Sequence, residues 1–312
     1  NTCLAHNSFS SRAKAKILFL KRKICDWYKI KNFFYDTKIL GIDGERISPL
    51  LTLSLEDNPE RQMLRSIKYS KDKFKVMPNP FLNEKINDNK KIHIGYFSSD
   101  FYDHAVSNVL LGILNSHNRS KFKLHIFNYN KFKQDHLTDQ IKQLADAYFD
   151  ISNLTDVEIV DISRKNKIDI AIDLQGYTKN ARTEIFSYRM APIQINYLGY
   201  ASTMGANFID YIVSDKMVIT SEQRKFYTEK VIFMPNSFMP YDDKRIISQT
   251  NTYRKDFSLP EDALVLCCFN NSYKISPLEF SIWMRVMSKI KNSVLWLSKS
   301  NKWVKENLYN QA

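Results

Sequence analysis

The sequence predicts an α/β protein built on parallel, doubly wound sheets and preceded by a helical segment. From about residue 90 onward, short apolar runs alternate with amphipathic windows of helical period. This alternation is typical of strands and helices that follow each other along a parallel sheet. After a polar linker near residue 250 the same rhythm starts again, which indicates the beginning of a second sheet.

The first 88 residues are predicted to form a helical lead. The stretch AKAKILFLKRKICDWYKIKNFF is long and amphipathic, and Asn58 directly before Pro59 is typical of a helix start. A loop rich in Pro and Asn, MPNPFLNEKINDNKK, then interrupts the pattern. We therefore place a domain boundary near residue 88.

Residues 89–250 are predicted to form a Rossmann-like domain. Strands are expected in six apolar runs: IHIGYF, KLHIFNY, AYFDI, IDIAIDL, IQINYL and DYIVSD. Helices are expected in windows between them: VSNVLLGILNSH, DHLTDQIKQLAD and DVEIVDISRKN. Residues 251–312 then offer DALVLCCFN, PLEFSIWMRVMSKI and SVLWLS, which we interpret as the truncated start of a second Rossmann-like domain.

Composition limits the kinds of protein that fit. The 312 residues are 44% hydrophobic and 13% aromatic, enough to bury one or two cores. The formal charge of +13 is spread along the chain without a nucleic-acid-binding motif, so we expect no nucleic acid partner, although an anionic ligand would fit. No apolar run approaches the roughly 18 residues that span a bilayer, so we expect no membrane partner. The four cysteines form no C-x-x-C pair, which fits a reducing cytoplasm.

Polar clusters follow four of the predicted strands: SSDFYDH, DLQGYTKNAR, LGYASTMGAN and NNSYKISP. Ligands of open parallel sheets bind beyond the carboxyl ends of the strands, so these clusters are candidate binding loops. None contains a G-x-G-x-x-G or Walker motif, which argues against a nicotinamide oxidoreductase or a P-loop NTPase. The chain also has no D-x-D, the usual carboxylate pair for a divalent metal on a nucleotide diphosphate, so we expect a site without metal.

Several longer motifs occur in a fixed order along the chain: IGYFSSDFYDH, IDIAIDLQGYTKNAR, RMAPIQINYLGYASTMGANFIDYIVSD, YTEKVIFMPNSF and LPEDALVLCCFNNSYKISPLEFSIWMRVM. In this order they resemble the O-linked N-acetylglucosamine transferase family, which includes the SPINDLY proteins. The resemblance extends from about residue 20 to the C-terminus. It implies a GT-B fold, in which two Rossmann-like domains face each other across a nucleotide-sugar site, usually after tetratricopeptide repeats. The helical lead would then be the end of that repeat superhelix or a set of linker helices.

The resemblance implies an inverting, metal-independent glycosyltransferase of the cytoplasm. It would move N-acetylglucosamine from UDP-GlcNAc to Ser or Thr of acceptor proteins, with no cofactor. Two alternatives remain open: a SPINDLY-type protein O-fucosyltransferase that uses GDP-fucose, and an inactive relative that acts as a protein-binding module.

The resemblance also implies two acid–base residues. Transfer to a hydroxyl needs a base, and histidine titrates near neutral pH. His104 matches the active-site histidine of the family; the alternative is a histidine that merely caps the following helix or packs in a loop. Asp173 matches a position that would relay or hold the acceptor proton, or else fix its loop by hydrogen bonds. Asp100 and Asp103 are expected to orient the loop or to cap the helix near Val106.

Two loops are expected to approach the sugar through their backbones. Gly176, Tyr177 and Thr178 would form one turn, and Gly199 with Tyr200 would form the other. Simple turn geometry with positive φ is the alternative explanation for both glycines.

On the second domain, Lys274 is the expected catalytic residue that stabilises the leaving diphosphate, the role that a metal would otherwise have. Asn271 would hold a phosphate or sugar oxygen. A solvated loop lysine is the alternative for Lys274.

The sequence also departs from the family pattern. Ala105 follows the histidine where Pro is usual, and RMAPIQ and GYASTMG lack other usual Pro and Gly residues. We expect looser loops in consequence. The chain begins with Asn1 rather than Met and stops before the later C-terminal motifs that form most of the base pocket. We therefore expect it to be part of a longer protein and to be inactive alone.

Overall fold

The computed structural model describes residues 10–27, 37–81, 91–131 and 133–312. The chain divides into two compact units, one formed by Pro59–Arg245 and the other by Asn1–Asn58 together with Ile246–Ala312. The domain boundaries near residues 88 and 250 stay predictions. The last part of the predicted first helix, residues 28–34, and most of the predicted loop before the sheet, residues 82–90, lie outside the described residues.

The elements are numbered in chain order over the described residues. The strands are β1 Ile92–Ser98, β2 Phe122–Asn128, β3 Ala147–Asp150, β4 Ile170–Asp173, β5 Ile193–Asn196, β6 Tyr211–Asp215, β7 Lys230–Met234, β8 Leu264–Cys268 and β9 Ser293–Leu297. The α-helices are α1 Ser11–Lys23, α2 Pro49–Thr52, α3 Pro59–Lys73, α4 Ala105–Ser116, α5 His136–Leu144, α6 Asp156–Lys165, α7 Glu184–Ser187, α8 Pro277–Met287 and α9 Lys302–Gln311.

Within the described part of the unit Pro59–Arg245, seven parallel strands form one sheet in the order β3-β2-β1-β4-β5-β6-β7. The six predicted strands are confirmed, and the three predicted helices appear between them as α4, α5 and α6. The prediction lacked β7. This strand, KVIFM, lies at the edge of the sheet and is largely exposed although its sequence is an apolar run.

The sheet is buried on both faces, as a parallel sheet requires. One face carries an aliphatic core that includes Ile126 and Ile172 and packs against α4 and α5. The other face carries stacked phenylalanines, with the rings of Phe97 and Phe127 only 4.2 Å apart between centroids. Because neighbouring residues of a strand point to opposite faces, Asp173, next to Ile172, shares the face of the phenylalanines.

Helix α3 packs against the loops that leave β4 and β5. Tyr69 at its end contacts the ring of Tyr177, with 4.9 Å between centroids. Phe74, just beyond the helix, stacks on Tyr177 and meets Phe208 edge to face. The side-chain amide of Gln62 also donates to the hydroxyl of Tyr200 across 3.2 Å. These contacts explain why α3 belongs to the same unit as the sheet.

The other unit contains α1, α2, α8 and α9 beside the two-stranded parallel sheet of β8 and β9. Its apolar core joins residues of α1 and of the segment after it to residues of α8 and α9: Ala15, Leu18, Cys25, Trp27, Phe280, Val304 and Leu308. Burial raises the pKa of the Cys25 thiol to about 11, so this cysteine is a packed thiol and not a reactive one. The predicted strand, helix and strand of residues 262–298 are confirmed.

Candidate active site at the carboxyl ends of the strands

The candidate residues of the seven-stranded unit lie where the strands of its sheet end, at their carboxyl ends. His104 ends the loop that follows β1, Asp173 is the last residue of β4, and Gly199 with Tyr200 lies in the loop after β5. Strands β1, β4 and β5 are direct neighbours and run parallel, so their carboxyl ends meet. Open parallel sheets bind ligands at these carboxyl ends.

His104 is the N-cap of α4. Its Nδ1 accepts a hydrogen bond from the backbone N–H of Val106 across 3.3 Å, and the same atom lies 3.6 Å from Oδ2 of Asp100. The side chain is 39% exposed, so a ligand can reach the ring. His104 therefore caps α4, as its alternative explanation expects, and its imidazole is also accessible for acid–base chemistry.

The capping role expected of Asp100 or Asp103 belongs to His104. Asp103 instead accepts a hydrogen bond from the amide of Asn108, and Asp100 faces Gln175. A histidine in extended backbone conformation places its Nδ1 where the carboxylate of an aspartate N-cap would lie.

Gln175 links the loops after β1 and β4. It is fully buried, and its side-chain amide donates to the Ser99 hydroxyl at 2.7 Å and to Oδ2 of Asp100 at 3.1 Å. Its Oε1 accepts from the backbone N–H of Ser99 at 3.2 Å. Its own backbone N–H donates to Oδ1 of Asp173 at 2.9 Å. A hydrogen-bonded series thus runs from Asp173 through Gln175 to Asp100, which lies beside His104.

Asp173 is 1% exposed and fixes the turn after β4. Its Oδ1 accepts the backbone N–H groups of Gln175 and Gly176, both at 2.9 Å. Its Oδ2 is buried without a hydrogen-bond partner among the described residues. Burial raises the pKa of Asp173 from 3.8 to about 6, although the two backbone hydrogen bonds act in the opposite direction. The loop-fixing alternative is therefore present in the structure, while a role in proton transfer stays a prediction.

Glycine is required at Gly176 and at Gly199 for different structural reasons. Gly176 has a φ of +55°, and a Cβ there would lie 2.5 Å from Cβ of Tyr200. Gly199 is not in the left-handed region. A Cβ at Gly199 would lie 2.0 Å from the carbonyl oxygen of Leu174, so close backbone packing requires this glycine. The positive φ of that loop belongs to Leu198, at 66°.

The predicted substrate-binding tyrosines turn inward. The Tyr177 hydroxyl donates to the carbonyl of Met204 at 2.7 Å, and the Tyr200 hydroxyl accepts from Gln62. Both side chains are buried. Only Thr178 of this turn is partly exposed. A role of Tyr177 and Tyr200 in sugar binding stays a prediction, and their burial leaves the backbone as the part that could serve it.

Glu229 holds the loop after β5 by hydrogen bonds. No motif in the sequence pointed to this residue. It is 1% exposed, its Oε2 accepts the Thr203 hydroxyl at 2.7 Å, and its Oε1 accepts the backbone N–H of Met204 at 2.5 Å. Burial raises the pKa of Glu229. Gln175 was missed as well. Both residues act on loops distant in sequence, so no local spacing identifies them.

A cleft of about 340 Å³ opens at the same edge of the sheet. Its walls are largely polar and include Ser99, Lys131, Asn153, Asn180 and Arg182. Arg182 is paired with Asp156. Because Ser99 also belongs to the hydrogen-bonded series described above, the cleft adjoins that series.

Lys274 and Asn271 lie in the other unit, in the segment between β8 and α8. Lys274 ends a 3₁₀ turn, is exposed, and directs its Nζ to Oδ1 of Asn270 at 3.4 Å. Asn271 is exposed, and its carbonyl accepts the backbone N–H of Lys274 at 2.9 Å. Both side chains are therefore accessible to a ligand at the carboxyl end of β8.

Within the described residues, no group of three or more His, Cys, Asp or Glu side chains is arranged to hold a metal ion. No helix of the described part of the chain is long and apolar enough to cross a membrane. The expectation of a reaction without metal or cofactor stays a prediction.

Comparison with known proteins identifies relatives of both units. The family model described as glycosyl transferase family 41 matches residues 70–252 and 247–312. The Arabidopsis thaliana protein named "Probable UDP-N-acetylglucosamine–peptide N-acetylglucosaminyltransferase SEC" is 34% identical over 213 residues, which cover 67% of this chain and 22% of that protein. A Solanum lycopersicum protein of the same name with the suffix SPINDLY is 26% identical over 216 residues, covering 68% of this chain and 23% of that protein. The chain thus spans about a fifth of the length of these curated relatives.

Among solved structures, a mutant of the Thermobaculum terrenum O-GlcNAc transferase matches with a TM-score of 0.79 at 20% identity. The match covers 99% of this chain and 59% of that one. This likeness and the parallel sheet confirm the predicted fold class, α/β of the GT-B type.

Proposed function

We propose, because this chain belongs to glycosyl transferase family 41, that the protein containing it transfers N-acetylglucosamine from UDP-GlcNAc to Ser or Thr hydroxyls of acceptor proteins. The names of its relatives support this donor and this class of acceptor. From the motif resemblance and the cysteine usage of the sequence we also propose a cytoplasmic protein with preceding tetratricopeptide repeats, and a reaction that needs no metal. The sugar would be transferred with inversion at its anomeric carbon.

The observation that carries the proposal is the accessible imidazole of His104 at the carboxyl edge of the sheet. It is backed by Asp100, Gln175 and Asp173 in a hydrogen-bonded series. The series ends beside an exposed imidazole, the side-chain type most often used for acid–base catalysis, and its member Ser99 lines the polar cleft. A helix cap alone would need none of these supporting contacts.

In the proposed step, the oxygen of the acceptor hydroxyl forms a bond to the anomeric carbon of the donor sugar. The bond between that carbon and the phosphate oxygen breaks, and its electron pair leaves with the nucleoside diphosphate. The hydroxyl proton passes to Nε2 of His104. The hydroxyls and amides that line the cleft would hold the polar groups of the ligands.

The leaving diphosphate gains negative charge during this step. We assign its stabilisation to the exposed ammonium group of Lys274, with Asn271 as a hydrogen-bond donor to a phosphate or sugar oxygen. A lysine can serve here because a mobile point charge suits a phosphate oxygen.

A SPINDLY-type transfer of fucose from GDP-fucose is the second candidate. The match to proteins named SPINDLY is the reason to keep it as a candidate. A role as a protein-binding module without transfer is the third candidate.

Calorimetric titration of the full-length protein with UDP-GlcNAc and with GDP-fucose separates these candidates, when combined with a transfer assay on Ser- and Thr-containing peptides. We expect UDP-GlcNAc to bind and its sugar to be transferred. Binding and transfer from GDP-fucose alone would favour the second candidate. Binding of neither donor would leave only the third.

A further inference from the structure

The proton of His104 is on the wrong nitrogen for a base in the arrangement that the structure shows. A neutral imidazole carries one N–H, and Nδ1 accepts the backbone N–H of Val106. The remaining proton must therefore be on Nε2. A protonated Nε2 donates hydrogen bonds and cannot receive the proton of an acceptor hydroxyl.

Asp100 offers the other arrangement. Its Oδ2 lies 3.6 Å from Nδ1 of His104, slightly beyond hydrogen-bond distance. If Nδ1 carried the proton, it could no longer accept from Val106. A small rotation of the imidazole would then let Nδ1–H donate to Asp100, and the lone pair of Nε2 would become available.

The carboxylate of Asp100 is already held for this contact. Its Oδ2 accepts the amide of Gln175 at 3.1 Å, and its Oδ1 accepts the Ser99 hydroxyl at 3.4 Å. Its backbone is fixed as well, since the carbonyl of Asp100 accepts the Ser107 hydroxyl at 2.5 Å. The carboxylate is 15% exposed, so water competes little for it.

We propose that Asp100, held by Gln175, is the positioning residue that places the proton of His104 on Nδ1 and so converts a helix-capping imidazole into a base. The inference rests on the proposed function. When Nε2 takes the proton from the acceptor hydroxyl, the imidazolium carries both N–H groups, and Nδ1–H donates to the Asp100 carboxylate, which balances the new positive charge. A carboxylate behind the histidine of an acyl-transfer triad orients the ring in the same way.

Other titratable groups lie farther from the ring of His104. The Tyr102 ring lies 5.6 Å from that of His104 between centroids. Asp103 precedes His104, but its carboxylate accepts from Asn108, and its backbone N–H donates to the carboxylate of Asp135, the N-cap residue of α5, at 2.7 Å. Asp103→Asn is therefore a matched control for Asp100→Asn, since it removes the same charge from the same loop without facing Nδ1.

The test measures the tautomer of His104 directly. The full-length protein is labelled with ¹⁵N-histidine, and long-range ¹H–¹⁵N spectra report which ring nitrogen carries the proton; His104→Gln assigns the signal. We expect Asp100→Asn to lower the ratio of the Nδ1–H to the Nε2–H form about tenfold, because a charged acceptor is lost. Gln175→Leu should change the ratio in the same direction. Asp103→Asn should leave the tautomer ratio of His104 as in the wild type. The signals of His117 should likewise stay as in the wild type.

An unchanged tautomer ratio in Asp100→Asn would overturn the proposal. So would an equal change in Asp103→Asn, because it would reflect the charge of the loop in general. The ratio is measured without donor or acceptor, so it can support or refute the role of Asp100 even if the protein transfers no sugar. Where transfer is observed, Asp100→Asn should lower kcat about tenfold with little change in the KM of the donor.

Discussion

Asp173→Asn should stabilise the protein at neutral pH although it removes a residue of the candidate site. The folded state raises the pKa of Asp173 from 3.8 to about 6, so it favours the protonated acid. Between these two pH values the unfolded chain loses its proton while the folded chain keeps it. Stability is therefore lost as the pH rises from about 4 to about 6, and the full penalty applies at pH 7.

The size of this penalty follows from the shift. About two pKa units correspond to about 3 kcal/mol. Asparagine keeps an oxygen for the N–H groups of Gln175 and Gly176, and it adds an N–H where Oδ2 has no partner. The register pairs Asp173 with Asn196, whose Oδ1 is likewise buried without a partner among the described residues. Residues paired in the register share a face of the sheet, so the added N–H is on the face that holds this unsatisfied acceptor.

The assay is denaturant unfolding of wild type and Asp173→Asn at several pH values from 4 to 7. The variant should match the wild type near pH 4 and exceed it by up to about 3 kcal/mol at pH 7. Asp215→Asn is the control of opposite sign. Three backbone N–H groups hold the pKa of Asp215 below its usual value of 3.8, so this variant should be less stable than the wild type throughout the range above about pH 5, and the difference should narrow only below about pH 4, where the wild type loses stability. A difference for Asp173→Asn that does not change with pH would show that the folded state does not raise the pKa of Asp173.

Three further predictions test packing, burial and the donor site. Gly199→Ala should cost about 3 kcal/mol or more, because its Cβ would meet the Leu174 carbonyl; an unchanged Tm would contradict this. Burial lowers the pKa of His125 to about 4, so the wild type loses stability as the pH falls below about 6.5, and His125→Phe should gain up to about 3 kcal/mol relative to it by pH 4 in unfolding experiments. Lys274→Ala should weaken binding of both UDP-GlcNAc and UDP about tenfold in calorimetry, whereas added EDTA should change nothing; restoration of transfer by metal after chelation would count against a metal-free reaction.

The sheet could be predicted because its signals are local. Apolar runs such as IDIAID and amphipathic windows such as VSNVLLGILNSH each carry their own period, so the alternation was correct for β1 to β6 and α4 to α6. Edge strand β7 also has a local signal, the apolar run KVIFM, and the prediction missed it; its exposure could not be read from that run. The short helix α7 has only four residues and therefore shows no period.

The candidate site could be predicted only at its most visible residues. His104 lies in the loop after β1 and Asp173 ends β4. Both the sequence motifs and the sheet topology predict functional residues at such positions. Gln175 and Glu229 depend on contacts between loops far apart in sequence, such as the bond from Gln175 to Ser99, 76 positions away. The inward orientation of Tyr177 follows from the packing of α3, which no motif in its own loop encodes.

The role of His104 as the base of a sugar transfer can be separated from its role as a helix cap by comparing His104→Ala and His104→Ser in the full-length protein. Serine restores the helix cap but supplies no base, whereas alanine removes both, so only alanine should cost about 1 kcal/mol of stability. Turnover of UDP-GlcNAc with an acceptor peptide should fall by about 10² or more in both variants. Near-normal turnover of His104→Ser would show that His104 only caps the helix and would contradict the account.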